Sequence, residues 1–254
     1  MSFRARVGTL LLLAALAIAA ALLSPRIPQD PAYHAFADQR PLFTVPHFWN
    51  VASNLPFVLV GLFGLWAVRK AQWIHPADRY PWIVIACSAV LIGFGSAYYH
   101  YAPGNRTLFW DRLPMTLAFM GVFTAAISEF IHARVGALLL APFLCLGMLS
   151  VEVWRRGELT GVGDLRFYIL VQFYPMLALP LTLLLFRSRY SHVRAMWGMA
   201  ALYAAAKLLE LLDAPLLSAT GGLISGHSLK HLAGAAALAV AFRAVAHRTP
   251  VVAR

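Results

Sequence analysis

The chain has 254 residues, of which 61% are hydrophobic and 12% charged, and its mean hydropathy is +0.70. A water-soluble domain of this length cannot bury so much apolar surface, so the composition places the chain among integral membrane proteins. The formal charge of +11 does not point to nucleic acid: the basic residues form short clusters between apolar runs, where the preference of Lys and Arg for cytoplasmic loops accounts for them.

The first apolar run, 7–24, follows Arg4 and Arg6 and contains A-I-A at 17–19. These features fit a secretory signal peptide. The run is also long enough to cross a bilayer, which favours a retained signal-anchor helix within residues 1–30. Seven more runs follow, at 48–68, 81–102, 113–131, 135–151, 167–186, 195–216 and 221–246. They are continuous and rich in alanine and leucine, without the period-2 alternation of strands. The predicted fold is all-α: a seven-transmembrane-helix bundle over residues 44–246, one extra N-terminal hydrophobic helix, and a cytoplasmic tail at 247–254. Cys87 and Cys145 both fall inside apolar runs. They read as small buried hydrophobes, not as a disulfide framework.

Alternating the loops between two sides puts Arg4, Arg6, Arg69, Lys70, Arg79, Arg134, Arg187, Arg189, Arg194, Arg243, Arg248 and Arg254 on the more basic side. Arg26, Arg40, Arg106, Arg112, Arg155, Arg156 and Arg166 fall on the less basic one. The bias predicts a cytoplasmic C-terminus. The run 81–102 then climbs outward to His100, P-G-N at 103–105 breaks it, and Asp111 opens the next helix at the same level.

Polar residues collect at that level. Ser96 and His100 are four apart and share a helix face. His227 and His231 repeat the spacing in S-G-H-S-L-K-H, in the outer half of a helix starting near Gly221. Two imidazoles one turn apart suit a metal, although buried histidines bonded to neighbouring helices have the same spacing. Asp111 has an equally plain reading as a helix cap. What favours a site is that three histidines, one aspartate and one serine, from three helices, share one depth. Ionisable groups within a span are costly and mark functional sites. Three nitrogen ligands leave a fourth position open, as in catalytic zinc.

The set Ser-x3-His-x10-Asp of Ser96, His100 and Asp111, with L-P-M at 113–115, resembles the alkaline ceramidases. So do F-W-N-V-A-S-N-L-P-F at 48–57 and H-S-L-K-H at 227–231. That family lies in a superfamily of seven-helix intramembrane hydrolases that includes the adiponectin-receptor-like proteins, and the resemblance runs over residues 44–246. It implies that His100, His227 and His231 bind zinc, that Asp111 holds and helps to deprotonate the zinc's water, and that Ser96 orients water or stabilises the oxyanion. It also implies a lipid substrate, ceramide or a related N-acyl lipid, cleaved to a fatty acid and a long-chain amine. Ser96 is not expected to be a covalent nucleophile, because its nearest base, His100, would be bound to the metal.

One departure concerns calcium. The eukaryotic alkaline ceramidases carry an acidic calcium-binding cluster that includes a glutamate just ahead of F-W-N. This chain has His47 there, and only Asp30 and Asp38 precede it. The departure argues against calcium regulation and makes the chain resemble a bacterial member, placed in the inner membrane with its site near the non-cytoplasmic face. Oligomeric state is not legible.

Other polar residues have two readings. Lys207, Glu210, Asp213 and Lys230 read as structural ion pairs before catalytic groups. Asn50, Ser53 and Asn54 suit helix–helix hydrogen bonds or the orientation of a histidine, and the same holds for Tyr168, Gln172 and Tyr174. Tyr98, Tyr99, Tyr101, Phe109 and Trp110 read as interfacial aromatics or as the mouth of a groove. The alternatives to a hydrolase are a non-hydrolytic receptor or sensor retaining the zinc site, and a transporter. The chain has no large added domain for the first and no evident broken helix or repeat for the second.

Overall fold

The computed structural model describes residues 1–251, and its chain is 77% helical. In chain order the helices are α1 (Phe3–Leu23), α2 (Phe48–Ala52), α3 (Leu55–Lys70), α4 (Arg79–Tyr101), α5 (Asn105–Ala126) and α6 (Ala133–Leu159). There follow α7 (Arg166–Leu185), α8 (Val193–Leu211), α9 (Asp213–Ala219) and α10 (Gly226–His247). Seven helical stretches are long and apolar enough to cross a membrane, α1 and the combined α2–α3 among them. Among the described residues the pair α8 and α9, bent by 79°, passes the same test when the two are taken together as one broken span. The protein is therefore an integral membrane bundle of seven spans plus an N-terminal apolar helix, as its hydropathy predicts.

Three boundaries differ from the sequence reading. α5 begins at Asn105, after an extended Gly104, so Asp111 stands in its second turn and caps nothing. The plain capping role is removed. Thr107, not Asp111, ties the break, its hydroxyl lying 2.7 Å from the carbonyl oxygen of Ala102 and 3.0 Å from that of Gly104. α10 begins at Gly226, because Gly221 and Gly222 take left-handed φ values of 62° and 82° that stop a helix there. The apolar run 195–216 conceals the sharp bend between α8 and α9, because hydropathy reports burial in lipid and is blind to direction. Cys87 and Cys145 are exposed on the outside of the bundle, not buried. In a membrane protein lipid satisfies an apolar side chain as well as a core does, so hydropathy does not separate the two.

The loops gather at two ends. At one end residues 24–47 fold across the bundle: Leu165 N donates to Ile27 O, and Ala37 N to Asp213 Oδ2. Arg40 and Asp38 form a salt bridge at 2.6 Å, and Asp30 Oδ1 caps the turn Pro31–His34 through Ala32 N. At the opposite end a buried polar knot ties four segments. Arg248 pairs with Glu129 at 2.5 Å and lies between the rings of Trp73 and Tyr190, at 3.7 and 3.9 Å. Trp82 Nε1 also donates to Glu129. Asp78 accepts from Ser128 Oγ, Tyr190 Oη and Arg189 Nη2. A π-helical turn at Ile127–Ile131 ends α5 and carries both Ser128 and Glu129 in buried positions.

Candidate metal centre and its cavity

His100 comes from the last turn of α4, and His227 and His231 from the first turns of α10. All three are buried. One ring nitrogen from each lies within 4.8 Å of the others, a group able to hold one metal ion. His100 Nε2 and His227 Nε2 are 3.3 Å apart. A tetrahedral ion about 2.0–2.1 Å from each imidazole nitrogen sets its ligand atoms about 3.3 Å from one another, so the observed spacing fits such an ion. The donors are all nitrogen, which suits zinc among other imidazole-binding metals. His100 Nδ1 is a buried atom without a hydrogen-bond partner.

The neighbours prepare His231 for the same task. Ser53 Oγ donates to Asn50 O at 3.2 Å and lies 2.8 Å from His231 Nδ1. A hydroxyl has one proton to give, so it accepts from Nδ1–H, which leaves the Nε2 lone pair free. Asn50 is itself fixed: Nδ2 donates to Asp38 O, Oδ1 accepts from Ser228 Oγ, and its carbonyl accepts from Asn54 Nδ2. The short break between α2 and α3 at Ser53–Asn54 makes this network possible. Asn50, Ser53 and Asn54 thus serve both readings given to them, helix packing and histidine orientation.

Two further contacts seat α10. Asp213 Oδ1 accepts from His227 N at 2.8 Å, an acid placed at a helix N-terminus. Gly226 touches the α8–α9 bend so closely that a Cβ there would lie 2.2 Å from Leu209 O. Phe36, from the loop 24–47, packs edge-on against His100 and His227 with ring centroids 4.5 and 4.7 Å away. His34 bridges Tyr99 Oη and Asn105 Oδ1 beside it, at 2.9 and 3.0 Å. The loop thus covers the histidines from the end of the bundle.

Ser96 and Asp111 are buried next to this group, brought together by contact between α4 and α5. Both line a cavity of about 320 Å³, together with His231, which lies within the range of small-molecule sites. The five residues singled out in the sequence thus fall into two sets that share His231: the histidine group, and the cavity wall with Ser96 and Asp111.

The cavity is polar at one end. Tyr33, Arg112, Lys207, Glu210 and Lys230 line it near the histidines. Glu210 pairs with both lysines at 2.5 Å, the ion pairing anticipated for these residues, with the triad lying on the cavity wall. Along α5 the lining turns apolar at Met115, Ala118, Phe119 and Val122. From Asp111 to Val122 the helix rises about 16 Å.

Some functional candidates were illegible in the sequence. Arg112 was counted among loop charges, yet it is buried in α5. Phe36 and Tyr33 lie in a loop with no motif. Conversely Tyr98, Tyr101 and Trp110 are exposed, Tyr99 is buried beside Phe36, and none of them or Phe109 lines the cavity. Tyr168 and Gln172 do line it, the latter donating to Tyr203 Oη, whereas Tyr174 bonds α1 through Leu10 O.

The family model described as Ceramidase matches residues 43–245. No curated protein and no solved structure matches the chain.

Proposed function

The chain belongs to the ceramidase family, which makes it a hydrolase of amide bonds with a lipid such as ceramide as its class of substrate, and we propose that it works as a zinc-dependent intramembrane enzyme. In this reading His100, His227 and His231 hold the zinc, Asp111 is the general base and acid, and Ser96 stabilises the oxyanion. The observation that carries it is a cluster of three buried imidazoles of which one, His231, lines together with Ser96 and Asp111 a cavity whose far part is apolar.

An amide resists hydrolysis because resonance stabilises its carbonyl and its amine leaves poorly. Zinc, when bound, supplies a Lewis acid that polarises the carbonyl and lowers the pKa of a bound water to about 7. The remaining work falls to side chains of this protein. Asp111 takes a proton from the attacking water and returns it to the amine nitrogen as the C–N bond breaks. The Ser96 hydroxyl donates to the oxygen of the tetrahedral intermediate, a contribution of about 3 kcal/mol for one such donor. Ser53 keeps His231 in the ligating tautomer. The acyl chain lies along Met115 and Phe119, and Phe36 excludes water above the histidines. Orientation follows the charge bias of the loops: the C-terminus in the cytoplasm of a bacterial inner membrane, and the site near the opposite face. Calcium has no part in this reading.

The test is a metal analysis of purified protein paired with a panel of ceramides and other N-acyl lipids. Stoichiometric zinc, fatty-acid release, and loss of both in His231→Ala are expected. Full activity in metal-free protein rejects the proposal, and zinc binding without turnover assigns the site to a receptor.

A further inference from the structure

Arg112 is a buried cation without an ion-pair partner among the described residues. It is 4% exposed and lines the cavity one residue beyond Asp111. Nη2 donates to the neutral amide oxygen of Gln29 at 2.8 Å, and Nη1 is buried with no partner. Three rings hold the guanidinium in place, with centroids at 4.4 Å (Trp154), 4.6 Å (Tyr168) and 5.5 Å (Tyr33). Such rings stabilise a cation but bring no counter-charge.

The other buried or half-buried cations have acidic partners: Lys207 and Lys230 share the one carboxylate of Glu210, and Arg248 at the far end has Glu129. Breaking a buried pair is costly because it strands a charge, and Arg112 lacks a directly bonded acid among the described residues. The cavity wall carries Arg112, Lys207 and Lys230 against Asp111 and Glu210, an excess of one positive charge before any metal ion. A lipid bearing only hydroxyls leaves that excess in place.

Taking the hydrolase reading as its premise, we infer that the amine portion of the substrate carries an anionic group, a carboxylate, sulfonate or phosphate, and that Arg112 binds it. The acyl portion belongs to the apolar stretch past Met115 and Phe119, and the amide belongs beside Asp111 and Ser96. The amine portion is then the part left to face Arg112. A guanidinium held flat by rings presents its edge N–H groups to such an anion with little loss of side-chain freedom.

The test uses the purified full-length protein with two probes that differ in one group, N-oleoylglycine and N-oleoylethanolamine. kcat/KM is expected to favour the glycine lipid about tenfold or more, the usual worth of a hydrogen bond to a charged group. R112Q is expected to remove that preference and R112K to keep part of it. Equal kcat/KM for the two probes in the wild-type protein overturns the inference, and that comparison needs no variant to fold. An unchanged ratio in R112Q overturns it as well.

Binding of both probes and of oleate is measured by thermal shift on the same samples. The hydrolase reading itself stands or falls on the ceramide panel; where neither probe is turned over, binding decides the inference. In that case tighter binding of N-oleoylglycine, lost in R112Q, still supports the anion site, and equal binding of the two probes rejects it. Arg112-dependent binding of oleate, with no advantage of N-oleoylglycine over N-oleoylethanolamine, assigns Arg112 to the fatty-acid product and overturns the inference.

Discussion

Gly95 of α4 and Trp110 of α5 are in backbone contact: a Cβ on Gly95 would lie 2.1 Å from the Trp110 carbonyl oxygen. Each has a proposed catalytic residue as its chain neighbour, Ser96 and Asp111. The spacing of the hydroxyl and the carboxylate is thus set by how closely two helices approach, and a hydrogen atom at position 95 permits it.

Gly95→Ala is therefore expected to act on geometry. The obstacle is backbone, which has no rotamer to turn aside. Overpacking of this kind costs about 1–3 kcal/mol, and a 1 Å misplacement of catalytic groups about a hundredfold in rate. Thermal melting in detergent and initial rates measure the two effects. Metal content should stay at the wild-type level, since none of the three histidines is displaced. A parallel loss of metal would mean that α4 as a whole has moved.

Ser53→Ala removes the acceptor that fixes the His231 tautomer. Loss of such an outer partner typically weakens metal affinity about 10–100-fold. Competition with a chelator of known affinity reads this directly, while turnover at saturating zinc should largely recover. Wild-type affinity in the alanine variant would show that His231 is oriented by packing alone.

The knot at the opposite end should behave differently. Arg248→Ala leaves Glu129 buried without its cation, a loss of about 3–5 kcal/mol. Activity per folded molecule should be unchanged, because the residue has no contact with the cavity that holds Asp111. The double variant Glu129→Gln, Arg248→Met should recover much of the stability. Melting temperature and specific activity, measured together, separate the two ends of the molecule.

The cover over the site has its own pH dependence. The hydrogen bond from Arg40 holds the Asp38 carboxyl below the usual carboxylate value of 3.8. A depressed folded value means that this contribution is fully present above pH 3.8 and fades as pH falls through the lower folded value. A melting-temperature profile should therefore fall more steeply in acid for the wild-type protein than for Asp38→Asn. Parallel profiles would show that the pair at Asp38 does not anchor the loop.

The spans and the five proposed site residues are legible because each leaves a local trace. Lipid demands long apolar runs, and a helix puts residues four apart on one face, so Ser96 with His100 and His227 with His231 declare themselves by spacing. The helix start at Asn105 was less legible, because the polar stretch from Asn105 to Arg112 interrupts hydropathy without interrupting the backbone. Cys87 and Cys145 were misplaced for a related reason: lipid and protein interior are alike to an apolar side chain.

By itself, the sequence determined that this is a membrane bundle, and which polar side chains share a depth in it, since bilayer thickness and helical pitch are fixed lengths. Only the tertiary structure decided which charges are neutralised, what covers the histidines and how closely α4 meets α5. Those depend on contacts between segments remote in the chain, such as Gln29 with Arg112, Phe36 with His227 and Lys230 with Glu210. No local periodicity encodes a pairing between distant segments; it exists only once the helices have packed.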